Sequence, residues 1–239
     1  MSKTAVILAG GLGKRLQPLT TLVPKPLLPI GESTVLEIQI RSLAKCGITN
    51  IIIATYYMSE YVRNRLGDGN RYGVQISFSQ EKRPLGTCGP LSLLAESLIE
   101  PFLVVNGDIL TRCDFRKVYE YGLHLDSDLT VVTTEISAPF DFGNVICNGN
   151  YVADIQEKPK LKLEILAGIY LVKPPVLKMI PVDSYYGIDE LIKMMIAQGK
   201  KVGRYLMQEY WLDIGRMDDY AEAQTHYDRY FAELSGEGS

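Results

Sequence analysis

Residues 8–30 read LAGGLGKRLQPLTTLVPKPLLPI and follow directly on the apolar run TAVI. Leu8 and Ala9 close that run. Gly10, Gly11 and Gly13 let a backbone come close to a ligand and aim its N–H groups at an anion. Arg15 and Lys25 add positive charge on either side. Pro18, Pro24, Pro26 and Pro29 hold the loop stiff and forbid a regular helix. The chemistry implied is the binding of a phosphate chain. Two common phosphate loops fail against it. A dinucleotide G-x-G-x-x-G needs a third glycine where Leu16 stands, and a G-x-x-x-x-G-K-[ST] loop needs glycine at Leu8 and a hydroxyl at Arg15. A long, ordered, basic loop over a polyphosphate remains.

Such a loop has to be positioned by strands and helices. The segment 3–9 reads as a buried strand. Ser33 is placed to cap a helix that Gly47 stops. Residues 50–55 form a β-branched strand, 59–66 a short helix, 73–79 an alternating strand, 91–99 a helix and 102–108 another buried strand. The second half is mixed. Strands are expected at 128–136 and 165–172, with a hairpin turning at Asn148-Gly149 between them. A helix is expected over 189–200, and another ends the chain after the YWLDIG segment. Strands alternating with helices predict right-handed βαβ units. The fold expected is α/β: a Rossmann-like, doubly wound, mostly parallel sheet with a small antiparallel insertion. Ligands of such sheets lie at the carboxyl ends of the strands, here the loops after residues 9, 55, 79 and 108. With 239 residues, one domain over 1–234 with a frayed tail at 235–239 is expected.

Composition narrows the partners. A net charge of −3 gives no reason for nucleic acid or a membrane surface, so an anion site must arise locally. No apolar run approaches the roughly 20 residues of a membrane span. The N-terminus reads as a first strand, not a signal peptide. Cys46, Cys88, Cys113 and Cys147 lack any CxxC spacing, which points to a reduced, cytoplasmic protein without structural zinc. His124 and His226 fall in polar helical stretches, and no GxSxG elbow is present.

The string GGLGKRLQPLT followed by KPLLPI resembles the signature of the sugar-nucleotide pyrophosphorylases, which join a nucleoside triphosphate to a sugar 1-phosphate. The resemblance runs over nearly the whole chain. It implies a Rossmann-like domain, a requirement for Mg²⁺ and release of pyrophosphate. It places Leu8, Ala9, Gly10, Gly11 and Gly13 around the nucleotide. Arg15 would hold and polarise the triphosphate, and Lys25 would lie over the α-phosphate. Many members carry Thr or Ser where this chain has Lys14. Asp108 and Asp213, the latter in W-x-D-x-G, match the family's metal carboxylates. Attack on the α-phosphorus joins two anions, so positioning and charge neutralisation dominate and no Ser or Cys nucleophile is needed.

Substrate choice falls on two further stretches. Residues 81–89, EKRPLGTCG, look more like guanylyl-transferring members than thymidylyl or uridylyl ones. Guanine offers two adjacent donors, N1–H and the N2 amino group, and a carboxylate accepts both. Glu81 would read the base, with Pro84, Gly86 and Thr87 around it. On the sugar side, EKP at 157–159 matches a family motif. Glu157 would bind sugar hydroxyls and Lys158 the sugar phosphate, with Gly143, Ala167 and Gly168 close by. Leu166 departs from the Asn usual before Ala-Gly-Ile-Tyr, which leaves mannose, a heptose or an amino sugar open. The partners expected are an NTP, GTP favoured, and a sugar 1-phosphate; a homodimer stays open. A pyrimidine-nucleotide transferase is the rival reading. A non-catalytic sugar-nucleotide-binding subunit is another, against which Arg15, Lys25, Asp108 and Asp213 all stand. A nicotinamide oxidoreductase fails at Leu16.

Overall fold

The computed structural model describes residues 3–234; the tail expected at 235–239 lies outside them. Strand β1 (Lys3–Leu8) begins the chain, and its Ala5, Val6 and Ile7 are fully buried. Three short turns follow instead of a long helix. They are a 3-10 turn at Lys14–Leu16, the one-turn helix α1 (Leu19–Leu22) and a 3-10 turn at Lys25–Leu27. A ribbon of β2 (Pro29–Ile30) and β3 (Ser33–Thr34) leads into α2 (Val35–Lys45). Next come β4 (Ile48–Thr55), α3 (Ser59–Leu66), β5 (Gln75–Gln80), β6 (Phe102–Asn106), β7 (Ile109–Thr111) and α4 (Phe115–His124). The second half holds β8 (Leu129–Pro139), β9 (Asn144–Asn148), β10 (Tyr151–Gln156) and β11 (Lys160–Val172). It closes with α5 (Ile188–Ala197), β12 (Val202–Met207), β13 (Trp211–Asp213) and α6 (Met217–Tyr230).

The central sheet has seven strands in the order β12-β8-β11-β6-β1-β4-β5. Only β11 runs against its neighbours; the other pairs are parallel. Alternation along β1 and β6 sends side chains to opposite faces. Ala5, Ile7, Leu103 and Val105 pack under α2, α3 and α4, while Val6, Phe102 and Val104 pack toward α5. A third core joins α6 to the basic loop, through Tyr227, Leu16, Leu28 and Ile214. The mostly parallel, Rossmann-like sheet is the one expected.

Two local expectations are corrected. The cap of α2 is Thr34, not Ser33. Thr34 Oγ1 accepts from the Glu37 N–H at 3.2 Å, and Glu37 Oε2 accepts from the Thr34 N–H at 2.9 Å. This is the reciprocal box that the T-x-x-E spacing encodes. Ser33 is drawn into the β2–β3 ribbon and accepts from Arg41 instead. The helix expected over 91–99 is a 3-10 turn at Gly89–Leu94. The Ser92 hydroxyl donates to Gly89 O at 2.7 Å, a local bond that competes with helical pairing. The antiparallel insertion is larger than expected. Strands β8 and β11 pair as far out as Pro139 and Lys160, and the β9–β10 hairpin turns at Asn148-Gly149 as expected, with φ +60° at Gly149.

Candidate active site

The loop after β1 folds back on itself. Gly13 adopts φ +61°, and a β-carbon there would stand 2.7 Å from Thr20 Cγ2. The Thr20 hydroxyl donates to Gly13 O at 2.9 Å, so this turn is closed by its own loop. Ala9 is buried and donates its N–H to Ala54 O at 2.7 Å, which fixes the loop to the strand beside it. A cavity of about 420 Å³ opens at this carboxyl edge. Leu8, Gly10, Gly11 and Gly13 line it from the glycine loop, Glu81, Pro84, Gly86 and Thr87 from the segment after β5, and Asp108 from the turn after β6. The structure thus brings together residues from three of the four loops that the edge rule selects.

Glu81 is only 5% exposed. Its Oε2 accepts from the Leu85 N–H at 2.9 Å. Its Oε1 lies against Gly10, 2.5 Å from where a β-carbon would stand. Burial raises the pKa of this carboxyl, and the Leu85 N–H pulls the other way. Gly86, at φ +79°, lies so near the chain opposite that a β-carbon would stand 2.7 Å from Tyr186 O. Thr87 Oγ1 accepts from the Ile188 N–H at 3.0 Å and caps α5.

Asp108 and Asp213 meet through a ribbon that neither flanking sequence announces. β7 pairs with β13, Asp213 opposite Ile109, and the Ile214 N–H donates to Asp108 O at 3.0 Å. Lys25, almost fully buried, forms an ion pair with Asp108 Oδ2. Asp213 Oδ1 is buried with no hydrogen-bond partner. Burial, then the charge of Asp108, push the Asp213 pKa up to about 6, against the pull of Lys25 and Arg15. A buried carboxylate oxygen without a partner costs free energy unless a cation completes it. Among the described residues no three metal-binding side chains cluster. Two carboxylates nevertheless suit magnesium, which commonly takes one or two and fills its shell with water and substrate phosphates. The donor set fits the ion.

Other expected residues lie elsewhere. Arg15 is off the cavity wall, its Nη2 3.4 Å from where a Gly215 β-carbon would stand, on the Asp213 side. Ala167 O accepts from Trp211 Nε1 at 2.8 Å, and Gly168 adopts φ +71° against the Asn106 side chain. Gly143, Glu157 and Lys158 are not brought to the cavity. They sit on the exposed arm made by β9, β10 and the outer ends of β8 and β11. There a β-carbon on Gly143 would stand 3.4 Å from Glu157 Oε2. Leu166 is exposed at the root of the arm.

Gln39, Asn106 and Tyr185 escaped the sequence reading of the site, and Lys14 was noted there without a role. Gln39, 2% exposed on α2, donates through Nε2 to Asn106 O at 2.8 Å and Ile109 O at 2.7 Å, clasping the turn that carries Asp108. A glutamine inside the apolar stripe of an amphipathic helix was the available signal. Asn106 and Lys14 both line the cavity. Tyr185 does too, from a link with no motif.

The sequence profile of the nucleotidyl transferase family matches residues 4–229. Mannose-1-phosphate guanyltransferase beta-B of Xenopus laevis is 35% identical over 231 residues, covering 93% of this chain and 64% of that protein. Mannose-1-phosphate guanyltransferase of Saccharomyces cerevisiae is 32% identical over 231 residues, with the same two shares. The chain therefore spans just under two thirds of the length of these relatives. Among solved structures, HddC from Yersinia pseudotuberculosis superposes with a TM-score of 0.74 at 28% identity, over 94% of this chain and 99% of that one. HddC complexed with GMP-PN superposes with a TM-score of 0.73 at 25% identity, over the same shares. With a matching profile over nearly its whole length, this chain belongs to the nucleotidyl transferase family.

Proposed function

We propose that residues 1–234 form one magnesium-dependent enzyme unit that transfers a guanylyl group from GTP to a sugar 1-phosphate and releases pyrophosphate. Mannose 1-phosphate is the first acceptor to test, since the relatives named above are mannose-1-phosphate guanyltransferases. The observation that carries the reading is a single cavity bounded by the glycine loop, by Glu81 and Gly86, and by Asp108. A triphosphate, a base and a metal carboxylate each have a wall in it.

In this reading the N–H groups of Gly10 to Gly13 hold the β- and γ-phosphates. Glu81 accepts from the guanine edge, with Oε1 and the free lone pairs of Oε2. Arg15 and Lys25 offset negative charge on the triphosphate as it reacts. Asp108 and Asp213 would hold Mg²⁺, which supplies further neutralisation of the phosphates when bound. The sugar-phosphate oxygen bonds to the α-phosphorus while the bond to the bridging oxygen of pyrophosphate breaks. The attacking oxygen is already anionic at neutral pH, so no general base is required. The four cysteines, none in a disulfide, suit a reducing cytoplasm.

A matrix of NTPs against sugar 1-phosphates, read by pyrophosphate release with Mg²⁺, tests the proposal. Release with GTP and mannose 1-phosphate is expected. Release with UTP, CTP or dTTP and none with GTP overturns the guanylyl assignment. No release with any pair leaves only a binding role.

A further inference from the structure

Tyr185, in the link 182–187 that precedes α5, also borders the cavity. This link is zipped to the base segment. The Tyr186 N–H donates to Leu85 O at 2.9 Å, and the Cys88 and Gly89 N–H groups donate to Tyr186 O at 2.9 and 3.1 Å. The Asp183 N–H donates to Ser92 Oγ at 3.2 Å, and Arg83 Nη2 reaches Asp183 Oδ2 at 3.3 Å. Together with the cap from Thr87, these bonds make the link and the base segment one rigid unit.

Two adjacent tyrosines in the link take different courses. Tyr186 packs against the core beneath α5. Tyr185 stays 72% exposed and borders the cavity. Among the described residues it is the one aromatic ring on the cavity wall. Its Cε2 lies 3.4 Å from where a β-carbon would stand on Gly86. Nothing in the fold uses the ring: it belongs to no core cluster and no aromatic pair, and its hydroxyl has no partner among the described residues.

A nucleobase has two unlike surfaces. Its edge carries hydrogen-bonding groups, and its faces are π surfaces that aromatic side chains cover. Glu81 and the backbone of Gly86 serve an edge, and Tyr185 is the ring available for a face. We propose that Tyr185 stacks on the nucleobase and supplies affinity, leaving Glu81 to select which base it is. The inference rests on the nucleotide reading above and adds the residue that grips the base. Stacking tolerates every base, so the two roles separate: Tyr185 strengthens binding of any NTP, and Glu81 discriminates between them.

The test is calorimetric titration with Mg²⁺ of wild type, Tyr185→Ser and Tyr185→Phe, using GTP, UTP and inorganic tripolyphosphate. Tyr185→Ser should weaken GTP by roughly 5- to 140-fold, the range of one lost base–aromatic stack. Tripolyphosphate, which has no base, should bind all three proteins alike. Tyr185→Phe should restore GTP, since the ring and not the hydroxyl makes the contact. In turnover, the KM for GTP should rise in Tyr185→Ser with kcat unchanged. Equal GTP affinity in wild type and Tyr185→Ser overturns the stacking role, as does an equal loss of tripolyphosphate or a failure of Tyr185→Phe to restore binding. Tighter binding of UTP than of GTP by wild type, with both weakened alike in Tyr185→Ser, overturns the guanine assignment and upholds the stacking. Wild type that binds no nucleotide more tightly than tripolyphosphate overturns both.

Discussion

Along the carboxyl edge of the sheet, the cavity beside β1 is braced from several sides, whereas the arm beyond β8 and β11 is braced only by itself. Around the cavity, Gly13 is tied to Thr20, Glu81 to Leu85, Lys25 to Asp108, and Gln39 clasps the turn between β6 and β7. On the arm every residue of β10 is exposed, and among the described residues the β9–β10 hairpin pairs with no third strand. A two-stranded hairpin alone is marginal in water. The residues expected to hold phosphates are therefore set before a ligand arrives. Those expected to hold the sugar, Glu157 and Lys158, sit on the exposed arm, outside that bracing. The cavity is a cradle, and the arm the hand that the expected sugar roles would give it.

Four experiments break or sharpen this contrast. The largest effect belongs to the cradle. Asp108→Ala should lower pyrophosphate release by about 10³-fold, the scale of a lost electrostatic contact at a reacting centre, while NTP binding is largely kept. Loss of NTP binding in step with release would show Asp108 to be structural. On the arm, Lys158→Met should raise the KM for the sugar phosphate by about tenfold, near the value of one charged hydrogen bond. Its melting temperature and GTP affinity should match wild type. An unfolded Lys158→Met protein would show the arm to be integral to the fold.

Third, Gly10→Ala should destabilise by about 1–3 kcal/mol, the usual result of forcing a methyl into filled space, because its β-carbon meets Glu81 Oε1. The same change in a Glu81→Ala background should cost less in thermal denaturation; strict additivity would deny the contact. The smallest effect is acid sensitivity. Burial raises the Glu37 pKa, but the Thr34 N–H, the Tyr72 hydroxyl and Arg65 outweigh it, and the net value lies below the ordinary one. A carboxyl depressed in the folded state adds stability above its unfolded pKa and loses it as pH falls through the folded value. Wild type should lose melting temperature below about pH 4.5. Glu37→Gln, already less stable, should lose less over that interval; parallel curves would exclude Glu37 as the source.

Much of the frame could be read in the chain because it is local. The strand at 3–9, the helix stopped by Gly47 and the Asn148-Gly149 turn each follow from neighbours in sequence. The glycine loop was legible too, since its glycines and prolines state their own constraints. What stayed hidden depends on distant partners. The resemblance pairs Asp213 with Asp108, but the β13–β7 ribbon that brings them together is written in no local stretch. Gln39 looks like one more helix residue until the turn after β6 lies over it. Ser33 looked like a cap until the β2–β3 ribbon claimed it. The length of the arm was hidden for another reason: alternating residues such as Leu161 and Leu163 read as strand, but no local rule says that a strand will run past the body it belongs to.

The contact between Gly10 and Glu81 carries a consequence for how such a chain can change. Position 10 belongs to the phosphate loop and position 81 to the base segment, yet they share one small volume. A longer residue at 10 presses on the carboxylate at 81, which must then shift or shorten. A new base preference at 81 must likewise be compatible with whatever stands at 10. The two positions should drift as a pair, so that the loop gripping the phosphates restricts which bases the protein can come to accept.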